Sequence, residues 1–254
     1  MSFRNSIQNL MSIARLSALT SYLTPHTSHL TMPLLLNIDT STEIASICLA
    51  ENESCLFLAS NEVQREHAAW LHPAILNALN SSGKKITDVD AVALTAGPGS
   101  YTGLRVGMAT AKGLCFAMNI PLIAVNTLEA MASMASVENV DFICPMIDAK
   151  RMEVFTAMYD RNLEVIIPPC AMILDKTSFL EQLQRKSIIF FGSGKNKFEK
   201  IMHEKNAIFK NLIFNSSHLA PFTYRKFIKS EFSTLAQTDP VYVKEYYTLY
   251  INKS

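Results

Sequence analysis

Two stretches of this sequence carry residues of the types and spacing that chemistry on an anion would need. The first is Gly97-Pro98-Gly99-Ser100-Tyr101-Thr102-Gly103-Leu104-Arg105, set between an apolar run and a helix-forming segment. Glycines admit positive φ and close approach of other groups. Ser100 or Thr102 can cap the following helix, whose N-terminal amides form an electropositive end suited to an anion. The same residues suit a tight strand-to-helix turn that uses its glycines for packing only, and the sequence leaves both readings open. The run is not a Walker loop, whose closing Gly-Lys-Ser/Thr is missing, nor a G-x-G-x-x-G fingerprint. The second stretch is Asp39-Thr40-Ser41-Thr42. An acid at a strand end, followed by hydroxyls in a hairpin turn, can surround a nucleotide phosphate and Mg²⁺. Asp148-Ala149-Lys150-Arg151 offers a matching acid without the hydroxyls, and a nucleotide clamp between two lobes wants both turns.

Other chemistry finds less support. His67 and His72 are five apart, so they do not share a helical face as an i, i+4 metal pair would. No His, Asp and Glu cluster has ligand spacing, so no metal site is expected. There is no G-x-S-x-G elbow and no Cys or Ser with a local base, so no catalytic residue is expected either.

The elements that must hold these turns follow from periodicity. Residues 34–39 read as a buried strand ending in an acid, 44–50 as its hairpin partner, and 66–82 as a helix closed by Gly83. Pro73 should kink that helix or mark its start. A strand at 91–95 leads into the glycine run, then a helix at 102–118, a strand at 121–125 and a helix near 127–136. The pattern restarts at 142–148, with a partner strand at 153–159. Helices are expected near 177–186, 195–205 and 218–234, with a strand at 187–192 between the first two. Ile38-Asp39 and Ile147-Asp148 open similar hairpins 109 residues apart. That spacing is too long for a solenoid repeat and points to two α/β lobes of one design with mixed sheets. The expected division is an extension at 1–32, a first lobe at 33–138 and a second at 139–254.

Composition narrows the setting. The chain has 254 residues, enough for two lobes, and a formal net charge of +1. Such a balance leaves no global field for a polyanion, so a nucleic acid is expected to be held through a partner. The five cysteines form no C-x-x-C pair, and Cys48, Cys115 and Cys144 lie in apolar runs, which fits a reducing, cytoplasmic compartment. No run of 18 apolar residues calls for a membrane span. Residues 1–38 contain no Asp or Glu. That suits either an organellar transit peptide or a start placed early, with Met32 as the first residue of the fold.

Six motifs then occur in order: LLLNIDTST (34–42), REHAAWLHP (65–73), AGPGSYTGLRVG (96–107), IPLIAVNTLEAMA (120–132), MIDAKRMEVF (146–155) and PVYVK (240–244). From Met32 to Lys244 the sequence resembles the bacterial tRNA threonylcarbamoyladenosine biosynthesis protein TsaB (YeaZ) family. The resemblance implies an actin-like fold of two ribonuclease-H-like lobes. It also implies a non-catalytic subunit that pairs with a TsaD-like threonylcarbamoyltransferase and a TsaE-like ATPase to modify adenosine 37 of tRNAs reading codons that begin with A. A catalytic relative would carry two metal-binding histidines where this chain has Thr127 and Met131, and hydroxyl and thioether do not replace two imidazoles. The alternative is an enzyme in its own right, an actin-like kinase or a metallopeptidase. The chain alone is expected to hold no cofactor, with ATP or ADP possible at the subunit junction. By the same resemblance, pairing falls on the first-lobe helices, through Trp70, Leu71, Ile75 and Leu79 on one and Gly103, Arg105, Gly107 and Ala111 on the other. Without a partner this surface would support a homodimer.

Overall fold

The computed structural model describes residues 32–63 and 66–243; the expectations for residues 1–31 and for the tail beyond Val243 lie outside them. The first half begins with β1 (Leu34–Asp39), β2 (Ala45–Glu51) and β3 (Ser54–Asn61). These run antiparallel to one another. Then come α1 (His67–Ser81), β4 (Ala91–Thr95), α2 (Tyr101–Met118), β5 (Leu122–Val125) and α3 (Thr127–Ala135). Strands β4 and β5 join in parallel, giving a sheet of order β3-β2-β1-β4-β5.

The second half repeats this plan. It contains β6 (Phe142–Asp148), β7 (Glu153–Asp160), β8 (Val165–Ile173), α4 (Leu180–Leu183), β9 (Ile188–Phe191), α5 (Lys195–Glu199), β10 (Ala207–Phe209) and α6 (Ala220–Ile228). The sheet order is β10-β9-β6-β7-β8. Laid beside the first, each strand has its counterpart, antiparallel meander and parallel additions alike. The two-lobed actin-like architecture is therefore present, and the duplication reaches five strands in each sheet rather than the opening hairpin alone.

Several expected elements differ. Pro73 lies inside α1 rather than at its start, where it removes one helical N–H without ending the helix. The helix expected at 177–186 is one turn, because Phe179 takes a left-handed φ of 62° immediately before it. That expected at 195–205 ends at Glu199, and the chain moves on to pair β10 with β9. The helix expected at 218–234 is a 3₁₀ turn at Ser216–Leu219 followed by α6, and it stops before Ser230, whose φ is 56°.

The described residues from Ser216 to Val243 do not stay with the second sheet. Ser216 N donates to Ser46 Oγ at 2.8 Å, and Thr223 Oγ1 donates to Asn37 Oδ1 at 2.6 Å, both buried. Beyond α6, Ser233 N donates to Leu122 O at 2.8 Å, its Oγ accepts from Ala124 N at 3.0 Å, and Val241 N donates to Ala96 O at 2.7 Å. The segment thus straps the edge of the first sheet at β5. Packing tells the same story. One apolar cluster takes Leu35, Ala93 and Ile123 from the first sheet and Ile143, Ile147 and Ile189 from the second. Separate clusters lie under α1 and α2 and around Phe190 and Phe198.

Candidate functional site

The two motifs singled out above meet. Asp39 ends β1 fully buried, and its Oδ1 accepts from Ser41 N (3.1 Å), Ser41 Oγ (2.6 Å) and Thr95 Oγ1 (2.6 Å). Burial pushes its carboxyl above the usual carboxylate range, against the pull of those donors. Thr40 Oγ1 donates to Gly103 O at 2.8 Å, and Ser100 N donates to Ser41 O at 2.7 Å. Ser100 also caps α2, its hydroxyl accepting from Gly103 N at 3.3 Å. The glycines allow this contact. A Cβ on Gly99 would overlap Ser41 O, and one on Gly103 would overlap Thr40 O, both backbone atoms. Gly97 takes φ +119° with Val241 O against it.

Most of the candidate anion or nucleotide residues bond or pack within the chain. Asp39, Thr40 and Ser41 are buried, and their bonds go to the chain itself. Gly97, Gly99 and Ser100 press on the turn and the strap, while Thr102 faces outward. The glycine run packs closely on the hairpin turn, where a Cβ at Gly99 or Gly103 would meet backbone oxygen. Of the set, Thr42 lines the cleft described below.

The second turn is filled as well. Asp148 Oδ1 accepts from Lys197 Nζ and from Lys150 N, each at 2.6 Å. Lys197 also donates to Arg151 O (2.6 Å) and Glu153 O (3.0 Å). Burial works to raise the Asp148 pKa, but Lys197 and the Lys150 amide outweigh it and hold the carboxyl below its usual range. A lysine ammonium stands beside the acid where a nucleotide clamp would place a cation.

Thr127 begins α3, fully buried, with its N donating to Gly97 O at 2.9 Å. Met131 is 2% exposed in the cluster shared by both sheets. Among the described residues no group of three or more His, Cys, Asp or Glu could hold a metal. His67 is buried at the start of α1 and His72 is exposed, on different faces as their spacing requires.

Between the halves lies a cleft of about 310 Å³. Thr42, Glu43 and Ile44 of the first hairpin turn form one side, with Met131 behind them. Ile147, Ser193, Lys195, Lys210 and Phe214 line the other. Of the polar residues here, Thr42 belongs to the first motif, while Ser193, Lys195 and Lys210 belong to none. Ser193 and Lys195 lie in and just after Gly192-Ser193-Gly194, at the end of β9.

The helices expected to pair show a different face from the one foreseen. Leu71, Ile75, Leu79 and Ala111 are buried against the first sheet. Gly103 and Gly107 face Thr40. The small residues of α2 thus let the helix approach its own hairpin turn. Trp70 is half-buried, packed on that core. Of the eight residues, Arg105 alone is exposed, its guanidinium 4.5 Å from the Tyr101 ring centre. What α1 and α2 present outward is Leu76, 60% exposed, and Phe116, 83% exposed, with Ala109, Gly113 and Ala117 on the same exposed side of α2.

Comparison with known proteins places this geometry. Residues 60–250 match the family model described as TsaD: tRNA N6-adenosine threonylcarbamoyltransferase. The tRNA threonylcarbamoyladenosine biosynthesis protein TsaB of Escherichia coli is 28% identical over 83% of this chain and 94% of its own length. The protein of that name from Bacillus subtilis is 30% identical, covering 67% of this chain and 75% of the relative. A solved Pseudomonas aeruginosa structure, described as similar to peptidase YeaZ, superposes with a TM-score of 0.74 at 25% identity, over 84% of this chain and all of that one.

Proposed function

Because this chain belongs to the TsaB family, and to the wider group that the TsaD threonylcarbamoyltransferase model describes, we propose that it acts in the biosynthesis of threonylcarbamoyladenosine in tRNA as a pairing subunit, not as the transferase. The carrying observation is the outward face of α1 and α2. Leu76 and Phe116 stand exposed there, while the buried faces of both helices pack on the chain's own core. Exposed large apolar side chains beside small residues suit a second pair of helices packing across them. The partner is a TsaD-like subunit, with a TsaE-like ATPase joining the assembly in the cytoplasm and tRNA held through the complex.

The catalytic role is assigned to the partner because the two turns that could grip a nucleotide are filled by glycine packing and by Lys197. By resemblance, the metal positions of a transferase are occupied by Thr127 and Met131. Any ATP or ADP of the assembly then belongs at the subunit junction. In isolation the same face supports a homodimer.

Replacing Phe116, 83% exposed, with Glu places a charge on this face while leaving the core untouched. It should weaken binding to the TsaD-like subunit by about thirtyfold or more, the ~2 kcal/mol of an interface hot spot. Thermal stability should be unchanged. Calorimetric titration of folded variant against partner reads the first effect, and mass spectrometry of tRNA nucleosides reads the loss of threonylcarbamoyladenosine in cells. Undiminished binding would place the interface elsewhere, and an unchanged nucleoside level after deletion of the gene would overturn the functional reading.

A further inference from the structure

The cleft between the halves has donors on one wall, with few partners for them among the described residues. Lys195 is 7% exposed and lines it. An ammonium carries three N–H donors; among the described residues Lys195 gives one, to Glu199 Oε2 at 3.0 Å. Ser193 Oγ accepts from Asp148 N at 3.0 Å, which leaves its own O–H free to turn toward the cleft. Lys210, bonded to Glu138 on its far side, adds a second ammonium. Ile147 and Phe214 beside them, and Ile44 across the cleft, supply apolar surface.

We propose that this cleft binds a small organic anion: one carboxylate or phosphate group, bonded to Lys195 and Ser193, on a compact apolar body held between Ile44, Ile147 and Phe214. Three features set that class. The volume of about 310 Å³ lies at the lower end of ligand pockets, roughly 300–1,000 Å³. Both lysines already have a carboxylate partner, and Glu43 stands at the rim beside Lys150, so the local charge suits a single anionic group rather than a polyphosphate. The hairpin turn that would take a polyphosphate tail is closed by the glycine run. The cleft is also preformed, since the shared core and the strap tie its two walls together. Ligand binding therefore needs no closure of one half on the other.

The test uses the full chain and three probes: isovalerate for the carboxylate arm, phenyl phosphate for the phosphate arm, and inorganic phosphate as an anion without an apolar body. Calorimetry should show one of the two organic anions binding at millimolar affinity or tighter, with inorganic phosphate at least about tenfold weaker. Amide shifts in NMR should move at Thr42–Ile44 and Ser193–Asn196. Lys195→Met should weaken binding at least about tenfold, and Ile44→Trp, which fills the cleft without altering charge, should abolish it. Should either variant fail to fold, the shift map of the unaltered chain decides. The proposal is overturned if neither organic anion binds at about 10 mM, if inorganic phosphate binds as well as phenyl phosphate, if the shifts cluster elsewhere, or if folded variants bind unchanged. None of these outcomes bears on pairing through α1 and α2, which is read separately by binding of the Phe116→Glu variant to the partner.

Discussion

Gly103→Ala sets two physical effects against each other, and their signs differ. Alanine is the better helix former, which favours the variant by up to about 1 kcal/mol. The added methyl, however, would overlap the carbonyl oxygen of Thr40. That atom is backbone in a turn held by Asp39, Ser41 and Thr95, so it cannot swing aside as a side-chain tip would. Overpacking of this kind costs roughly 1–3 kcal/mol, and the absence of a soft neighbour puts this case at the upper end. The net loss is about 2 kcal/mol, a fall in Tm of roughly 4–8 °C for a chain of this size. Gly113→Ala is the internal control. It lies in the same helix, is exposed, and its Cβ would meet nothing within 4 Å; it should gain about 0.5–1 kcal/mol. Urea unfolding followed by circular dichroism, with thermal melts alongside, measures both. If Gly103→Ala proved as stable as its parent while Gly113→Ala gained, the glycine run would not be closed on the turn. The anion-binding reading of that run would then return.

Two further outcomes rest on single contacts. Asp141 accepts from Ser187 N and Oγ at 2.9 Å each and from Lys186 Nζ at 3.0 Å. The Ser187 amide first, then Lys186, bring its pKa from 3.8 to about 2. A folded pKa below the unfolded one contributes stability above pH 3.8 that is lost as the pH falls toward 2. Asp141→Asn should therefore flatten the acid limb of a stability-against-pH curve over that window, and an unchanged slope would refute the assignment. Thr223→Val deletes the donor to Asn37 Oδ1 and strands a buried acceptor, at a cost of about 1–3 kcal/mol. A denaturation midpoint equal to the parent's would mean that this contact between the halves is not made.

Much of the first sheet was readable because its inner strands are buried on both faces. LLLNID, ASICLA and AVALT are near-continuous apolar runs, as strands covered on both sides must be. The third strand of each half escaped for the opposite reason. In β3 the side chains are largely exposed, Leu56 and Leu58 among them. In β8 the run is broken by Pro168 and Pro169, residues that suit an edge. The turn at Asp39 and the glycine run were both legible as special sites, yet their sense was not. Whether a glycine admits a ligand or another stretch of backbone depends on what arrives from 60 residues away, and spacing along the chain does not carry that. On α1 and α2, apolar content did not tell inward from outward: Leu71, Ile75, Leu79 and Ala111 are buried, while Leu76 and Phe116 remain outside. The cleft was hidden because Thr42, Lys195 and Lys210 come from three separated segments.

The strap has a consequence for how the chain reaches this state. Synthesis delivers the first sheet early, but the groups that finish it come last: Ser216 and Thr223 against β2 and β1, Ser233 along β5, and Val241 at the glycine run. A nascent chain that has emerged only to α3 has the five strands and both outer helices without their closing partners. Its buried Asn37 and the edge of β5 stand open until nearly the whole polypeptide has left the ribosome. Contacts this distant in sequence slow folding, because a long loop must close before they form, and open strand edges in the interval invite wrong pairings. The second half is thus needed twice, once as a sheet in its own right and once as the last piece of the first. Deletions near the C-terminus should show their damage in the N-terminal sheet.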